Sequence, residues 1–315
     1  MRLHVCALVG LIVLAVAPLV GQTAAKAPRT ADGQPDLQGT WNFSTITPLE
    51  RAGEFAGREF LTDAEAKQFE QRTAVQSNRD NRSQSADADV ASAYNEFWWD
   101  RGVHVARVNG KARTSLIVDP PDGRIPALTA DGQARAAARA ETRRQHPADG
   151  PEDRSLGERC LLFNAGPPML SGPYNNYVQI LQTREHVVIM NEMIHDTRIV
   201  PLDGRPHLPA PIRSWLGDSR GRWDGNTLVV ETTNFTPKTS VRGSGESLRL
   251  VERFTRAGAG TLLYEFTIDD PASFTKPWTA VLPMAKTTDQ IYEYACHEGN
   301  YAMTGILRGA RSGER

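Results

Sequence analysis

The chain has 315 residues, with 36 basic and 37 acidic side chains and a formal net charge of −1. Neither sign is concentrated over a long stretch, which excludes the basic footprint of a nucleic-acid binder. The length suits one large domain or two small ones.

Residues 1–25 read as a secretory signal peptide. Arg2 supplies the positive start, Val5 to Val20 form an apolar run, and small or polar residues (Gly21, Gln22, Thr23, Ala24, Ala25) follow. The run is shorter than the ~20 residues of a membrane span, so no stable membrane anchor is expected. Cys6 lies inside the run, which leaves Cys160 and Cys296 as the mature cysteines. In a periplasmic or extracellular, oxidising compartment their expected fate is a disulfide, worth roughly 2–4 kcal/mol. A nucleophilic Cys296 is disfavoured there, because a thiol beside an oxidisable partner does not stay free. Residues 26–315 are read as a single β-rich domain.

Residues 26–159 form a helix- and loop-rich N-terminal part. The turn Pro35-Asp36-Leu37-Gln38-Gly39-Thr40-Trp41 leads into a short strand. Thr62-Asp63-Ala64-Glu65 is a capping box that opens a helix to about residue 74. Residues 114–118 read as a strand stopped by Asp119-Pro120-Pro121-Asp122-Gly123, and Thr129 caps a second helix to about residue 145. Arg135, Arg139, Arg143 and Arg144 are assigned to its solvated face.

From residue 160 to about 310 the signals are almost all β. Strands are expected over 177–183, 187–200, 227–233, 248–256, 261–269, 278–282 and 290–296, separated by short turns such as Asp224-Gly225-Asn226. Sequential strands without intervening helices describe an antiparallel meander. The expected architecture is a lipocalin-like barrel, which removes exposed edges, with a sandwich as the alternative.

Several strings carry a likeness to known sequences. They are Pro35 to Trp41, Tyr94-Asn95-Glu96-Phe97-Trp98-Trp99-Asp100-Arg101-Gly102, and the stretch Arg113-Thr114-Ser115-Leu116-Ile117-Val118-Asp119-Pro120-Pro121-Asp122-Gly123-Arg124-Ile125-Pro126. Gly217-Asp218-Ser219-Arg220-Gly221-Arg222-Trp223, Thr227-Leu228-Val229-Val230-Glu231-Thr232-Thr233-Asn234-Phe235 and the stretch around Cys296-His297-Glu298 complete them. On these the chain resembles an uncharacterised family of exported bacterial proteins. The resemblance covers nearly the whole mature chain and implies export and one shared fold. It carries over no activity, cofactor or site residue.

Strand alternation sorts the polar residues. In the last expected strand Glu293 and His297 share one face, about 7 Å apart along the strand, while Tyr292, Tyr294, Cys296 and Glu298 share the other. If the His297 face lines a barrel, the two form an acid–base pair; if it faces water, they are surface residues. In the strand expected over 187–200, His195 and Asn191 fall in an apolar stripe with Val187, Ile189, Met193 and Ile199, and Glu192, Asp196 and Arg198 on the opposite face. His195 is therefore either a hydrogen-bonded core histidine or a general acid or base. Glu252 falls on an apolar face, where a carboxylate needs a partner from another element, because Arg249 and Arg253 point away. Glu231 and Glu265 are expected near it.

Two clusters are assigned to loops at the barrel mouth, where sites commonly lie. Trp98, Trp99, Asp100, Arg101 and His104 join an aromatic wall to an acid, a base and a cation. Asp218, Arg220, Arg222 and Trp223 offer an acid and two guanidiniums for an anionic group. The structural reading of both is an ion-pair network fixing a long loop. No His-x-x-x-His or Cys-x-x-Cys spacing and no phosphate-binding glycine motif occurs, so neither metal nor cofactor is expected. The candidate catalytic residues are His195, His297, Glu293 and Asp218. Two functions follow: a cofactor-free acid–base enzyme (lyase, isomerase or hydrolase) acting on a small organic or sugar-like substrate, or a non-catalytic carrier of an apolar or aromatic ligand.

Overall fold

The computed structural model describes residues 28–81, 85–91, 95–163 and 166–313. The expected signal peptide and its Cys6 lie outside the described residues, as does Tyr94.

Thirteen strands occur among the described residues. The N-terminal part contributes β1 (Gly39–Asn42), β2 (Phe60–Leu61), β3 (Arg107–Val108), β4 (Lys111–Arg113) and β5 (Ile117–Asp119). The second half contributes β6 (Tyr177–Gln182), β7 (His186–Asn191), β8 (Thr197–Pro201), β9 (Asp218–Asp224), β10 (Thr227–Thr233), β11 (Arg249–Arg256), β12 (Thr261–Asp269) and β13 (Trp278–Thr287). Helices α1 (Asp63–Gln76), α2 (Ala86–Ala91), α3 (Ala130–Gln145) and α4 (Tyr301–Ser312) are peripheral. The caps of α1 and α3 are those read from sequence: Thr62 and Glu65 close a reciprocal capping box, and the Thr129 hydroxyl accepts from Gly132 N–H. Arg135 and Arg139 are not on a purely solvated face, since they donate to Ala272 O with Ser273 Oγ and to Pro237 O respectively.

The chain is mainly β and antiparallel. Its large sheet runs β8-β7-β6-β1-β13-β12-β11-β10-β9, with β5 added on β13, and a small sheet pairs β2, β4 and β3. Two meanders, β6 to β8 and β9 to β13, are therefore sewn together by the N-terminal β1. No hydrogen-bonded ladder joins β8 to β9, so a closed barrel is not observed. The two edges do approach: a Cβ on Gly221 would lie 2.6 Å from Leu202 and 2.9 Å from Val200. Only glycine lets the edges come that close.

One face of the curled sheet holds the core. Trp41, Phe43, Phe254, Tyr264, Phe266 and Trp278 are all essentially inaccessible there. Their rings meet edge to face or tilted, with Phe254–Tyr264, Tyr264–Phe266 and Phe266–Trp278 centroids 5.0, 5.8 and 5.8 Å apart. Burial of this much aromatic surface is the main stabilising term.

Glu252 does lie on the inner face and does take its partner from elsewhere. Arg198 Nη1 and Nη2 donate to Glu252 Oε2 and Oε1 at 2.6 and 2.9 Å, and both side chains are sealed from solvent. Tyr264 Oη adds a third bond to Glu252 Oε1 at 2.7 Å, and Met169 N–H donates to the phenol at 3.1 Å. Burial and the Glu252 charge push the Tyr264 phenol well above its ordinary value, keeping it a donor. Glu231 and Glu265 lie elsewhere: Glu252 pairs in register with Val230 and Phe266, which puts those two acids on the outer face.

Arg198 reaches the inside because the expected strand 187–200 is broken. A 3-10 turn at Met193–His195, with Ile194 and His195 at φ 58° and 45°, shifts the alternation by one residue. Val187, Ile189 and Asn191 point inward on β7, whereas Arg198 and Val200 do so on β8, and Ile199 is 65% exposed. A one-residue shift moves every side chain to the other face. The expected last strand, 290–296, is also absent: the segment after β13 is irregular and turns into α4. Helix α4 is capped by Asn300, whose side chain accepts from Met303 N–H. Cys160 and Cys296 form the expected disulfide, which ties this segment to the loop after α3. No described helix is long and apolar enough to cross a membrane.

Removing one member of the buried pair strands the other. Glu252→Leu is expected to lower stability by about 3–5 kcal/mol, and Arg198→Met with Glu252→Leu to recover a large part of that loss. Chemical denaturation of the two variants beside the parent chain checks both.

Candidate functional site

At one rim of the sheet, three irregular segments meet the ends of β6 and β7. The first, residues 95–106, crosses the rim with Asp100 N–H donating to Pro173 O at 2.8 Å. Asn176 fastens it, its amide donating to Asp100 O at 2.5 Å and to Gly172 O at 3.0 Å and accepting from Gly172 N–H at 2.7 Å. The second is the chain leaving β7, where Glu192 N–H still bonds Tyr177 O at 2.9 Å. The third is the segment after β13, where Tyr292 N–H donates to Glu192 Oε1 at 3.2 Å and Asp289 accepts from Tyr177 Oη at 3.3 Å. Tyr174 links first and third, stacking on Tyr294 at 6.3 Å and meeting Trp99 edge-on at 6.4 Å between centroids.

This arrangement gathers three carboxyl groups and a phenol. Burial raises the Asp100 carboxyl above its ordinary value, the Asn176 backbone N–H opposes this, and the Asp289 charge adds to it. Burial likewise raises Glu192, against hydrogen bonds from Tyr292 and Asn175 and with a contribution from Asp100. Tyr177 is pushed up to about 12 by burial and by the charges of Asp100, Asp289 and Glu192, so it stays protonated. Glu192 is 4% exposed, and its Oε2 has no hydrogen-bond partner among the described residues. The same is true of Trp99 Nε1 and both side-chain polar atoms of Asn191. Buried polar atoms without partners are uncommon in folded chains and costly.

Beside Asp100 opens a cleft of about 380 Å³, lined among others by Asn42, Ser44, Trp99, Asp100, Arg101 and His104. Four of the five residues of the tryptophan cluster read from sequence therefore share one cavity wall. Two cations lie against Trp99, with Arg79 and Arg101 4.4 and 5.2 Å from its ring. Arg101 pairs with Glu96 at 2.5 Å, and His104 Nδ1 lies 3.4 Å from Glu70. Trp98 does not line the cleft; it is 61% exposed and packs edge-on against Phe97.

The second cluster is not a loop. Asp218, Arg220, Arg222 and Trp223 lie in strand β9, and only Trp223 turns toward the core. Asp218 accepts from His207 Nδ1 at 2.8 Å, Leu208 N–H at 3.0 Å and Arg220 Nη1 at 2.7 Å. Burial alone would raise this carboxyl, but those three donors hold it below its ordinary value. Glu231, 3.8 Å from His207 Nε2, is in turn paired with Arg249. Beside the Arg249 bond, the exposed Arg222 adds its charge to the field that lowers Glu231, and the network secures the loop between β8 and β9 to the sheet.

The two histidines assigned to catalysis are not brought together by any shared contact. His195 stands in the 3-10 turn and is exposed, not in an apolar stripe. His297 and Glu293 are exposed in the irregular segment before α4, where strand alternation does not operate. Among the described residues no group of three or more His, Cys, Asp or Glu is arranged to hold a metal ion. Sequence reasoning missed Tyr177 and Glu192, at the open end of the β6–β7 hairpin, and Asp289, from the segment after β13; they match no local motif. No family model matches the chain, and neither does any curated protein or solved structure.

Next to Glu192, burial lifts Asp196 from 3.8 to about 6 despite the nearby His195 and Arg198 charges. A raised carboxyl favours the folded state while it is protonated and loses that contribution as pH rises through the folded value. Asp196→Asn is therefore expected to raise Tm by a few degrees at neutral pH. The gain should fade as pH falls through about 6, which thermal melts across the acid range will show.

Proposed function

We propose that the chain is an acid–base enzyme acting on a small organic or sugar-like substrate, with Asp100 and Glu192 as the working pair. The observation that carries this is Glu192 Oε2, a sealed carboxylate oxygen without a partner beside a second carboxyl that shares its raised affinity for protons. Burial raises both carboxyls and the Asp100 charge adds to the shift of Glu192, so each holds a proton more readily than an ordinary carboxyl, as an acid–base group must. Such a pair serves a lyase, an isomerase or a hydrolase equally, and it needs no cofactor to move a proton. Tyr177, protonated up to about 12, is the hydrogen-bond donor for a developing negative charge. Trp99, with its ring fixed by Arg79 and Arg101, supplies an apolar edge to the cleft wall beside Asp100.

The carrier reading finds less support. A carrier of lipocalin type needs an open lumen, and here Trp41, Tyr264, Phe266 and Trp278 fill the inner face around the Arg198–Glu252 pair. Curling of the sheet until β8 meets β9 at Gly221 favours a near-closed barrel whose work is done at its rim, not inside it. The Cys160–Cys296 disulfide fits an exported, periplasmic or extracellular protein.

Turnover of a panel of sugars, esters and phenolic compounds by the purified oxidised chain tests the reading. Asp100→Asn and Glu192→Gln are each expected to lower turnover about a hundredfold or more, with a bell-shaped pH profile in the parent. Because each carboxyl is penalised by burial, neither amide variant should lower Tm. Full turnover in both variants would sink the assignment, and His195→Ala and His297→Ala separate it from one resting on those histidines.

A further inference from the structure

A second cleft, of about 740 Å³, lies between the C-terminal half of α3 and the loop that follows it. Helix α3 brings Arg139 and Arg143 to its wall, the loop that follows brings Arg154 and Arg159, and the distant segment after β10 brings Lys238. Three carboxylates share the wall. Asp153 accepts from Gly150 N–H at 2.7 Å, and Glu158 is bound to Arg154 at 2.5 Å and to Ser155. Of the three, only Glu158 is neutralised by an ion pair, so the Glu152 and Asp153 charges stand against Arg139, Arg143, Arg159 and Lys238. Arg143, Arg159 and Lys238 have no carboxylate within ion-pair reach among the described residues, and Arg154 Nε is buried without a partner. In a chain of net charge −1, unpaired cations converging on one concavity focus a positive potential there. Ala138, Pro147 and Leu156 give the same wall an apolar component.

From this geometry we infer a binding site for a small organic polyanion, carrying two or more carboxylate or phosphate groups on a compact carbon frame. Guanidiniums bind such groups through paired N–H donors, and Arg159 and Arg143 present theirs from different segments, which suits a ligand with separated charges. Arg159 precedes the disulfide-bonded Cys160, and Asn300 donates to Glu158 O at 2.7 Å, so the loop wall is anchored against α4. The site uses none of the residues at the rim.

Titration calorimetry of the full oxidised chain at low salt, with citrate and with inorganic pyrophosphate as separate probes, tests this. At least one probe is expected to bind with an affinity that falls about tenfold or more in Arg143→Glu with Lys238→Glu. Both side chains are exposed, so Tm should hold; if it does not, Arg143→Ala with Lys238→Ala is read instead. Arg124→Glu, on an exposed arginine outside this cleft, should leave binding unchanged. Citrate binding with no pyrophosphate binding marks a polycarboxylate ligand, and the reverse marks a phosphate ester. Binding of neither probe, persistence of binding in the double variants, or an equal loss in Arg124→Glu overturns the inference.

Discussion

The bidentate contact between Arg198 and Glu252 sets the shape of this molecule. Arg198 belongs to one edge strand of the large sheet and Glu252 to a strand two places from the other edge. They can meet only if the sheet curls until its ends face each other, with Gly221 admitting Val200 and Leu202. Two sealed charges are costly unless their remaining bonding capacity is met. Tyr264 and Met169 N–H meet most of it, leaving only Arg198 Nε unsatisfied. The same contact occupies the middle of the interior, so the space that a curled sheet might have left for a ligand is taken by the fold itself.

With the inside filled, the polar clusters lie at the edge of the sheet. Two polar clusters compete for attention there, and the degree of satisfaction separates them. Around Asp218, His207, Arg220, Glu231 and Arg249 charges are neutralised by bonds, and the carboxylates sit below their ordinary values as in a structural clasp. Around Asp100, Glu192 and Tyr177 the shifts run the other way, and a carboxylate oxygen is left without a donor. A fold tolerates such destabilising groups more readily where they serve a reaction or a ligand, which is why perturbed groups cluster at working sites.

The disulfide bears on both surface features. Residues between β13 and α4 have no ladder to hold them; Cys296 ties them to Cys160, and Tyr294 packs on Tyr174. That segment supplies Asp289 and the Tyr292 N–H to the rim, while on the other side of the bridge Arg159 enters the wall of the basic cleft. A covalent tie stands here where neither hydrogen-bonded strand pairing nor a deep apolar core could fix the backbone.

Much of the fold was legible locally. The Thr62 and Thr129 caps, the antiparallel strands after residue 177 and the pairing of Cys160 with Cys296 follow from residue chemistry that acts over a few positions or from simple counting. That Glu252 faces inward and needs a distant partner also follows from period-two alternation, though the partner does not. Alternation failed wherever the strand was interrupted: the turn at Met193–His195 reversed the inner and outer faces of β8, and the loss of a strand after β13 removed the basis for pairing His297 with Glu293. The tryptophan cluster was found because aromatic, acidic and basic residues are adjacent in sequence. Its partners Glu192, Tyr177 and Asp289 were not, because they become neighbours only when β1 joins the two meanders and the disulfide brings the C-terminal segment across the rim. The sequence by itself determined the caps of α1 and α3 and most of the hairpin strands, which short-range sterics and hydrogen bonds settle, and a count of cysteines gave the covalent staple. Which charges are buried together, and which are left waiting for a partner, was decided only by the tertiary structure, because burial is a property of the assembled sheet and not of any residue in it.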